Sequence, residues 1–97
     1  MDYHITWSPR AASHLEEICA YIARDSKHYA AIFAQNVLKL VASIPSFPKS
    51  GRVVPEYSDE NIREHLYQNY RIVYRIAKDS IQIAAICHGA RQLTNTM

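Results

Sequence analysis

Two consecutive segments in the second half of the chain constrain its fold most, because both alternate with the two-residue period of a β-strand. The first spans residues 69–76 and the second spans residues 81–88, with a short polar turn between them. Alternation places Ile72 and Tyr74 on one face of the first strand and Arg71 on its reverse. A strand with one apolar and one polar face is typical of an antiparallel sheet that packs one side against helices.

The second of these segments is more apolar than the first. Its alternation predicts that Ile81, Ile83, Ala85 and Cys87 share one face, whereas the opposite face ends in His88. The two strands together predict a sheet whose apolar face is covered by helices and whose other face meets solvent.

The N-terminal half predicts one strand followed by two helices. Residues 3–7 alternate and are rich in aromatic and β-branched types, as strands are. Ser8 and Pro9 then form a strong helix start, an N-cap followed by proline at the first helical position. An apolar stripe of helical period continues to about Arg24, and a second stripe covers 30–44. The break between them is so short that the helices must form an antiparallel hairpin.

The remaining segments complete a strand-helix-helix-strand-strand-strand order. A proline-containing loop and a short extended piece at 53–54 precede an alternating strand at 62–67. This order predicts an α+β fold, with the helical hairpin packed on one face of a small, mostly antiparallel sheet of about four strands. Ninety-seven residues are expected to form a single domain, 1–97. The predicted core combines both helical stripes with the strands: Trp7, Leu15, Ile18, Ile22, Phe33, Val37, Leu40, Val41, Ile72 and Ile83.

Composition excludes several classes of protein. The sequence has no signal-peptide pattern and no apolar run near the ~20 residues of a membrane span, so a cytoplasmic protein without a membrane partner is expected. Cys19 and Cys87 fall on apolar stripes and are expected to be reduced core residues. The five histidines lack metal-ligand spacing, so neither a metal nor a cofactor is expected. Beyond Ile44 basic residues outnumber acidic ones, a bias compatible with a polyanionic partner.

A spare apolar line lies beside the core stripe of the second predicted helix. It consists of Ala31, Ala34 and Leu38. It either widens the buried face of that helix or forms an apolar patch that binds a protein partner, since such patches are uncommon on free monomers.

Five short motifs, spread in order over residues 3–91, together resemble the RelE/ParE toxin superfamily. They are Trp7-Ser8-Pro9-Arg10-Ala11, Gly51-Arg52-Val53-Val54-Pro55-Glu56, Ile62-Arg63-Glu64, Tyr70-Arg71-Ile72-Val73-Tyr74-Arg75 and His88-Gly89-Ala90-Arg91. The resemblance implies the toxin of a bacterial type II toxin–antitoxin pair. It also implies a cognate antitoxin protein whose disordered segment folds on the toxin.

The superfamily divides according to its targets. RelE-like and YoeB-like members cut messenger RNA in the ribosomal A site, whereas ParE-like members inhibit DNA gyrase and are not nucleases. Metal-free RNA cleavage needs a base for the 2′-hydroxyl, a cation for the phosphorane and an acid for the leaving oxygen. Glu56, Arg71 and His88 could supply these three groups, and the resemblance to YoeB-like toxins suggests the same residues in the same roles.

Further residues would then bind the RNA strand. Phosphate contacts are expected from Lys49, Arg52, Arg63, Arg75 and Arg91. Tyr70 and Tyr74 could stack on bases, although tyrosines in strands are more often packing residues.

Each catalytic candidate also has a structural alternative. Glu56 could be a surface carboxylate paired with a nearby arginine, and Arg71 could be the cross-strand partner of Glu64. His88 could be a strand-end histidine bonded to backbone. Two departures weaken the nuclease assignment: a Gly-Ala-Arg sequence follows His88 where YoeB-like toxins have tyrosine, and the lysine-rich cluster of RelE-like toxins is absent. The sequence favours ribosome-dependent mRNA cleavage, with the ribosome and mRNA as partners, and gyrase inhibition without catalysis is the alternative.

Overall fold

A computed structural model describes residues 3–90 of the chain. The helices and strands follow the predicted order, with one additional short strand. They are β1 (His4–Trp7), α1 (Pro9–Ala23), α2 (Lys27–Ser43), a 3-10 turn (Ile44–Ser46), β2 (Arg52–Val53), β3 (Ile62–Tyr67), β4 (Tyr70–Ile76) and β5 (Ser80–His88). No helix within residues 3–90 is long and apolar enough to cross a membrane.

The strands form one five-stranded sheet in the order β1-β5-β4-β3-β2. Strands β2 to β5 pair antiparallel, and β1 pairs parallel to β5 along the edge. The helical hairpin covers one face of this sheet, which we call the front face, and the opposite face is the back face. The predicted α+β fold is therefore confirmed.

Both helices begin where the sequence places their caps. The Ser8 hydroxyl accepts a hydrogen bond from the Ala11 amide at 3.0 Å. The Ser26 hydroxyl accepts one from the Tyr29 amide at 3.1 Å. Helices of 15 and 17 residues are marginal in isolation, so packing on the front face supplies most of their stability.

The main core lies between the helices and the front face. Of the predicted core residues, the buried ones are Phe33, Val37, Val41, Ile72 and Ile83. The others lie partly buried against this cluster: Trp7, Leu15, Ile18, Ile22 and Leu40. The two predicted apolar stripes are thus the faces by which the helices pack on the sheet.

A β-bulge in β5 changes the predicted faces of that strand. Ala85 lies opposite Val73, but Ile83 lies opposite the next residue of β4, so Ala84 has no counterpart. The residues before the bulge keep the predicted orientation, whereas Ala85 and Cys87 lie on the back face and Ile86 joins the front core. The prediction of one continuous apolar face through Ala85 and Cys87 is wrong, because a bulge inverts the alternation without any mark in the sequence pattern.

Side chains from the first turns of α1 bind the backbone around this bulge. The Ser8 hydroxyl donates to the Ala84 carbonyl at 3.0 Å. The Ile86 amide donates to Nδ1 of His14 at 3.1 Å. A bulge disrupts the regular ladder and leaves buried backbone groups that need other partners. Helix α1 supplies those partners and is thereby fixed on β5.

The back face is not the solvent-exposed face that alternation predicts. Val54 and Tyr57, in the segment that follows β2, lie against it, and Val73 and Cys87 beneath them are buried. The sheet therefore has a second, smaller apolar cluster on this side. Charged side chains that project from the back face are enclosed, and their charges have to be compensated by partners.

Candidate functional site

The back face contains a buried ionic network centred on Arg71, which is only 4% exposed. Its Nε donates to Oε1 of Glu64 at 2.5 Å. Its Nη1 and Nη2 donate to the two carboxylate oxygens of Glu56 at 2.7 and 2.8 Å. This two-point contact is the strongest geometry available to an arginine and a carboxylate.

Glu64 connects this arginine to a second one. Its side chain is fully enclosed, and its other oxygen accepts a hydrogen bond from Nε of Arg52 at 2.6 Å. The network thus contains two guanidinium groups and two carboxylates. The opposite charges balance, and this balance is the condition under which charges remain stable in a buried site.

The network holds Arg71 permanently charged. Its hydrogen bonds with Glu56 raise the pKa of the Arg71 guanidinium above its already high value, and the contacts with Glu64 act in the same direction. Its charge is directed at the chain's own carboxylates. The Glu56 carboxylate occupies the outer edge of Arg71.

The three predicted catalytic residues do not lie together. Arg71 lies opposite Cys87 in the β4–β5 ladder, and Tyr70 lies opposite His88. Side chains of directly paired residues project from the same face, and successive residues project from opposite faces. Arg71 and Glu56 therefore lie on the back face, and His88 projects from the front face, with the sheet between them.

His88 has local partners at the end of its strand. Its Nδ1 accepts a hydrogen bond from the Ala90 amide at 3.3 Å. Its ring contacts the edge of Tyr70, with the ring centroids 6.0 Å apart. This placement corresponds to the alternative in which His88 is a strand-end histidine bonded to backbone.

The two predicted stacking tyrosines are both packing residues in this structure. Tyr74 is completely buried; its hydroxyl donates to the Pro48 carbonyl at 2.7 Å and accepts from the Gly51 amide at 3.0 Å. Burial raises the pKa of this phenol above its ordinary value, so it remains a donor. Tyr70 is half-buried, with its ring centroid 5.4 Å from that of Phe33. The prediction that Tyr74 stacks on a base is incompatible with this packing, because neither face of its ring is open.

The predicted phosphate-binding residues differ in their surroundings. Arg63 donates to the backbone carbonyls of Glu60, Gly51 and Lys49 at 2.8, 2.9 and 3.2 Å, and so fixes the loop before β2. Arg75 is exposed beside a cleft of about 490 Å³ at the start of α1. Lys49 is exposed, Arg52 belongs to the ionic network, and Arg91 lies outside the described residues.

The predicted antitoxin-binding line lies on the open side of α2. Ala31 is exposed, Ala34 is half-buried and Leu38 is 49% exposed. The line therefore remains open in the isolated chain and does not widen the buried face of the helix. Within residues 3–90, no group of three or more His, Cys, Asp or Glu side chains could hold a metal ion.

A serine–histidine contact was not predicted from the sequence. The Ser50 hydroxyl lies 2.9 Å from Nε2 of His65. The His65 ring stacks on Tyr74 at 5.9 Å between centroids. Burial lowers the pKa of His65 below its ordinary value. Alternation in β3 could have placed His65 on the front face, but Ser50 lies in a loop whose path the sequence does not specify.

Comparisons with known proteins agree on the class of protein. A family profile described as the ParE toxin of the parDE type II toxin–antitoxin system matches residues 5–93. Y4kP, a candidate toxin of Sinorhizobium fredii, is 32% identical over 90 residues, which cover 91% of this chain and 90% of the relative. These matches define a toxin of a type II toxin–antitoxin system. Within that class, the chain belongs to the ParE toxin family.

Two solved structures share the fold. A structure of the chromosomal ParDE toxin–antitoxin system from P. aeruginosa matches with a TM-score of 0.73, covering 89% of this chain and 95% of that one. The YoeB dimer from Staphylococcus aureus matches with a TM-score of 0.56, covering 91% and 97%. Both are 19% identical to this chain, so the likeness concerns the fold. The family profile and the Sinorhizobium relative, together with this shared fold, confirm the resemblance to the RelE/ParE superfamily.

Proposed function

We propose that this toxin inhibits DNA gyrase by binding it, without cleaving RNA. The observation that carries the proposal is the division of the nuclease residues between the two faces of the sheet. A base and an acid must reach the same phosphodiester, on opposite sides of the reacting phosphorus. Glu56 projects from the back face and His88 from the front face, and this separation supports a function by binding.

The state of Arg71 supports the same proposal. A transition-state stabiliser has to direct its donors at the place where charge develops. Three donors of Arg71 are bonded to Glu56 and Glu64, and the side chain is almost fully enclosed. The network is built as a structural support for the back face. An inhibitor that acts by binding needs such a support and needs no acid or base.

The family match supports the choice of target. The chain belongs to the ParE toxin family, and the resemblance to ParE-like members implies gyrase as the target. A cognate antitoxin is the second partner we propose, because the matched family and the P. aeruginosa structure are both described as parts of toxin–antitoxin systems. Both partners are consistent with the cytoplasmic location expected from the sequence.

Two purified reactions test the proposal. The chain is added to gyrase with relaxed plasmid and ATP, and separately to ribosomes translating a defined mRNA. We expect supercoiling to be blocked in proportion to the amount of toxin, and the mRNA to remain intact. Cleavage of the mRNA in the ribosomal A site, with supercoiling unaffected, would establish the nuclease function instead. Addition of the antitoxin should restore supercoiling, which controls for contaminating activities.

A further inference from the structure

A second concave site lies away from the ionic network, at the end of the sheet where β4 finishes. This cleft has a volume of about 710 Å³. Its walls are mainly apolar, and its polar groups are two serine hydroxyls, one lysine ammonium group and the Tyr3 hydroxyl. The residues around it are Tyr3, Pro45, Ser46, Phe47, Pro48, Lys49, Ser50 and Ile76. We call it the Phe47 cleft, because Phe47 is its most exposed apolar side chain.

One of the two serines in the cleft is bonded to a histidine. The Ser50 hydroxyl lies 2.9 Å from Nε2 of His65, a residue of β3. The imidazole is positioned by its stacking on the buried ring of Tyr74. Tyr74 is itself bonded to the backbone at Pro48 and Gly51, on either side of Ser50. The serine, its loop and the histidine are therefore fixed relative to each other.

The protonation state of His65 suits the role of a base. Partial burial lowers its pKa below the ordinary value of about 6.5, so the ring is neutral at pH 7. A neutral imidazole that faces a hydroxyl at hydrogen-bond distance is the arrangement that activates serine nucleophiles. The Ser50 side chain is also a neighbour of the Tyr74 hydroxyl.

We propose that Ser50 is a nucleophile activated by His65, and that it accepts an acyl group from an activated ester or thioester bound in the Phe47 cleft. The Ser50 oxygen attacks the acyl carbon while its proton passes to Nε2 of His65. The new oxygen–carbon bond replaces the ester C–O or thioester C–S bond. The leaving alcohol or thiol takes the proton back from His65, so the reaction needs neither metal nor oxidant.

The cleft fits this class of ligand. An acyl chain or aryl group can lie along Tyr3, Phe47 and Ile76, where it removes apolar surface from water. Lys49 lines the same cleft and favours the negative charge that develops on the acyl oxygen. The cleft shares no residue with the Arg71 network.

The experiment uses the full chain and p-nitrophenyl butyrate as the probe. Mass spectrometry should show one butyryl group per chain, and fragmentation should locate it on Ser50. Ser50→Ala should abolish this adduct. Ser43→Ala is the control, because Ser43 is an exposed serine outside the cleft that is bonded to the Leu40 carbonyl, and it should leave the adduct unchanged. Butyryl groups found only on lysines, or equally on Ser46, would overturn the proposal.

The role of His65 has its own readout. His65→Gln should slow acylation of Ser50 by roughly 10²–10⁴-fold, the usual contribution of a general base. In the unaltered protein, the acylation rate should fall as the pH is lowered through the depressed pKa of His65. This pH profile requires no variant and stays informative if His65→Gln does not fold. An acylation rate that stays constant from pH 8 down to the pH at which the protein unfolds would contradict the assignment of the base.

Discussion

At the scale of single residues, the Arg71 network decides both the stability and the chemistry of the back face. Buried ion pairs contribute little net stability compared with apolar packing, but loss of one partner leaves an uncompensated charge. Glu64 has no exposed surface and has arginine contacts on both of its oxygens. A single substitution in the network should therefore lower the free energy of unfolding, and the loss should be larger where the altered side chain is more deeply buried.

We predict that Arg71→Ala lowers the free energy of unfolding by roughly 3–5 kcal/mol, because it leaves Glu64 buried beside a single arginine. Urea denaturation followed by circular dichroism measures the loss. Arg75→Ala is the control, since Arg75 is exposed on the same strand, and it should change stability by less than about 0.5 kcal/mol. A loss for Arg71→Ala as small as that of the control would show that the network is not structural.

His65 should give a pH dependence of stability whose sign is fixed by its lowered pKa. The unfolded chain binds a proton at His65 more readily than the folded chain, so stability from this residue is complete above the ordinary pKa of about 6.5. This contribution to stability is lost as the pH falls toward the lowered pKa that His65 has in the folded chain. Urea midpoints between pH 8 and 5 should therefore fall more steeply in the unaltered chain than in His65→Gln. Equal slopes would contradict this assignment.

At the scale of the elements, the sequence predicts the helices well because their signals are local. Ser8, Pro9 and Ser26 mark helix starts by chemistry that acts within one turn, and the structure has the helices there. Strand β5 is different, because its faces depend on a bulge at Ala84. The partners that stabilise the bulge come from α1, more than 70 residues earlier, so no local pattern reveals it.

The two sides of helix α2 should have different roles. Substitutions on the buried side should lower stability, and substitutions on the exposed side should affect partner binding. Phe33→Ala removes a buried ring from the main core and should cost roughly 3–5 kcal/mol. Leu38→Ala, on the exposed side of the same helix, should change stability by less than about 0.5 kcal/mol. Thermal or urea unfolding of the two variants provides the comparison. A similar loss for both would contradict the assignment of the faces.

The exposed side of α2 should instead affect antitoxin binding. We expect Leu38→Asp to weaken the affinity for the cognate antitoxin at least tenfold, because it places a charge on the apolar line with Ala31 and Ala34. Isothermal calorimetry with the purified antitoxin measures the change. Glu16→Ala, at an exposed position on α1, is the control and should bind with unchanged affinity. Unchanged binding by Leu38→Asp would remove this line from the interface.

At the scale of the whole molecule, the bulge in β5 explains why the sequence could not predict the relative positions of the three candidate catalytic residues. Motif resemblance identified Glu56 and Arg71, and the structure brings these two together. It also selected His88, whose face depends on the register between β4 and β5. Alternation in each strand separately puts Arg71 and His88 on polar faces, but only the paired register shows that these faces are opposite. The pairing of strands is a property of the folded sheet and not of either segment.

We propose that this toxin stops growth through gyrase and not through mRNA. The most direct measurement is the superhelical density of a reporter plasmid in bacterial cells after the chain is induced, followed together with the cleavage of a reporter mRNA. We predict that negative supercoils decline before growth stops, that the mRNA stays intact, and that co-expression of the antitoxin prevents both the topological change and the arrest. Growth arrest with unchanged plasmid topology and cleaved mRNA would contradict the account.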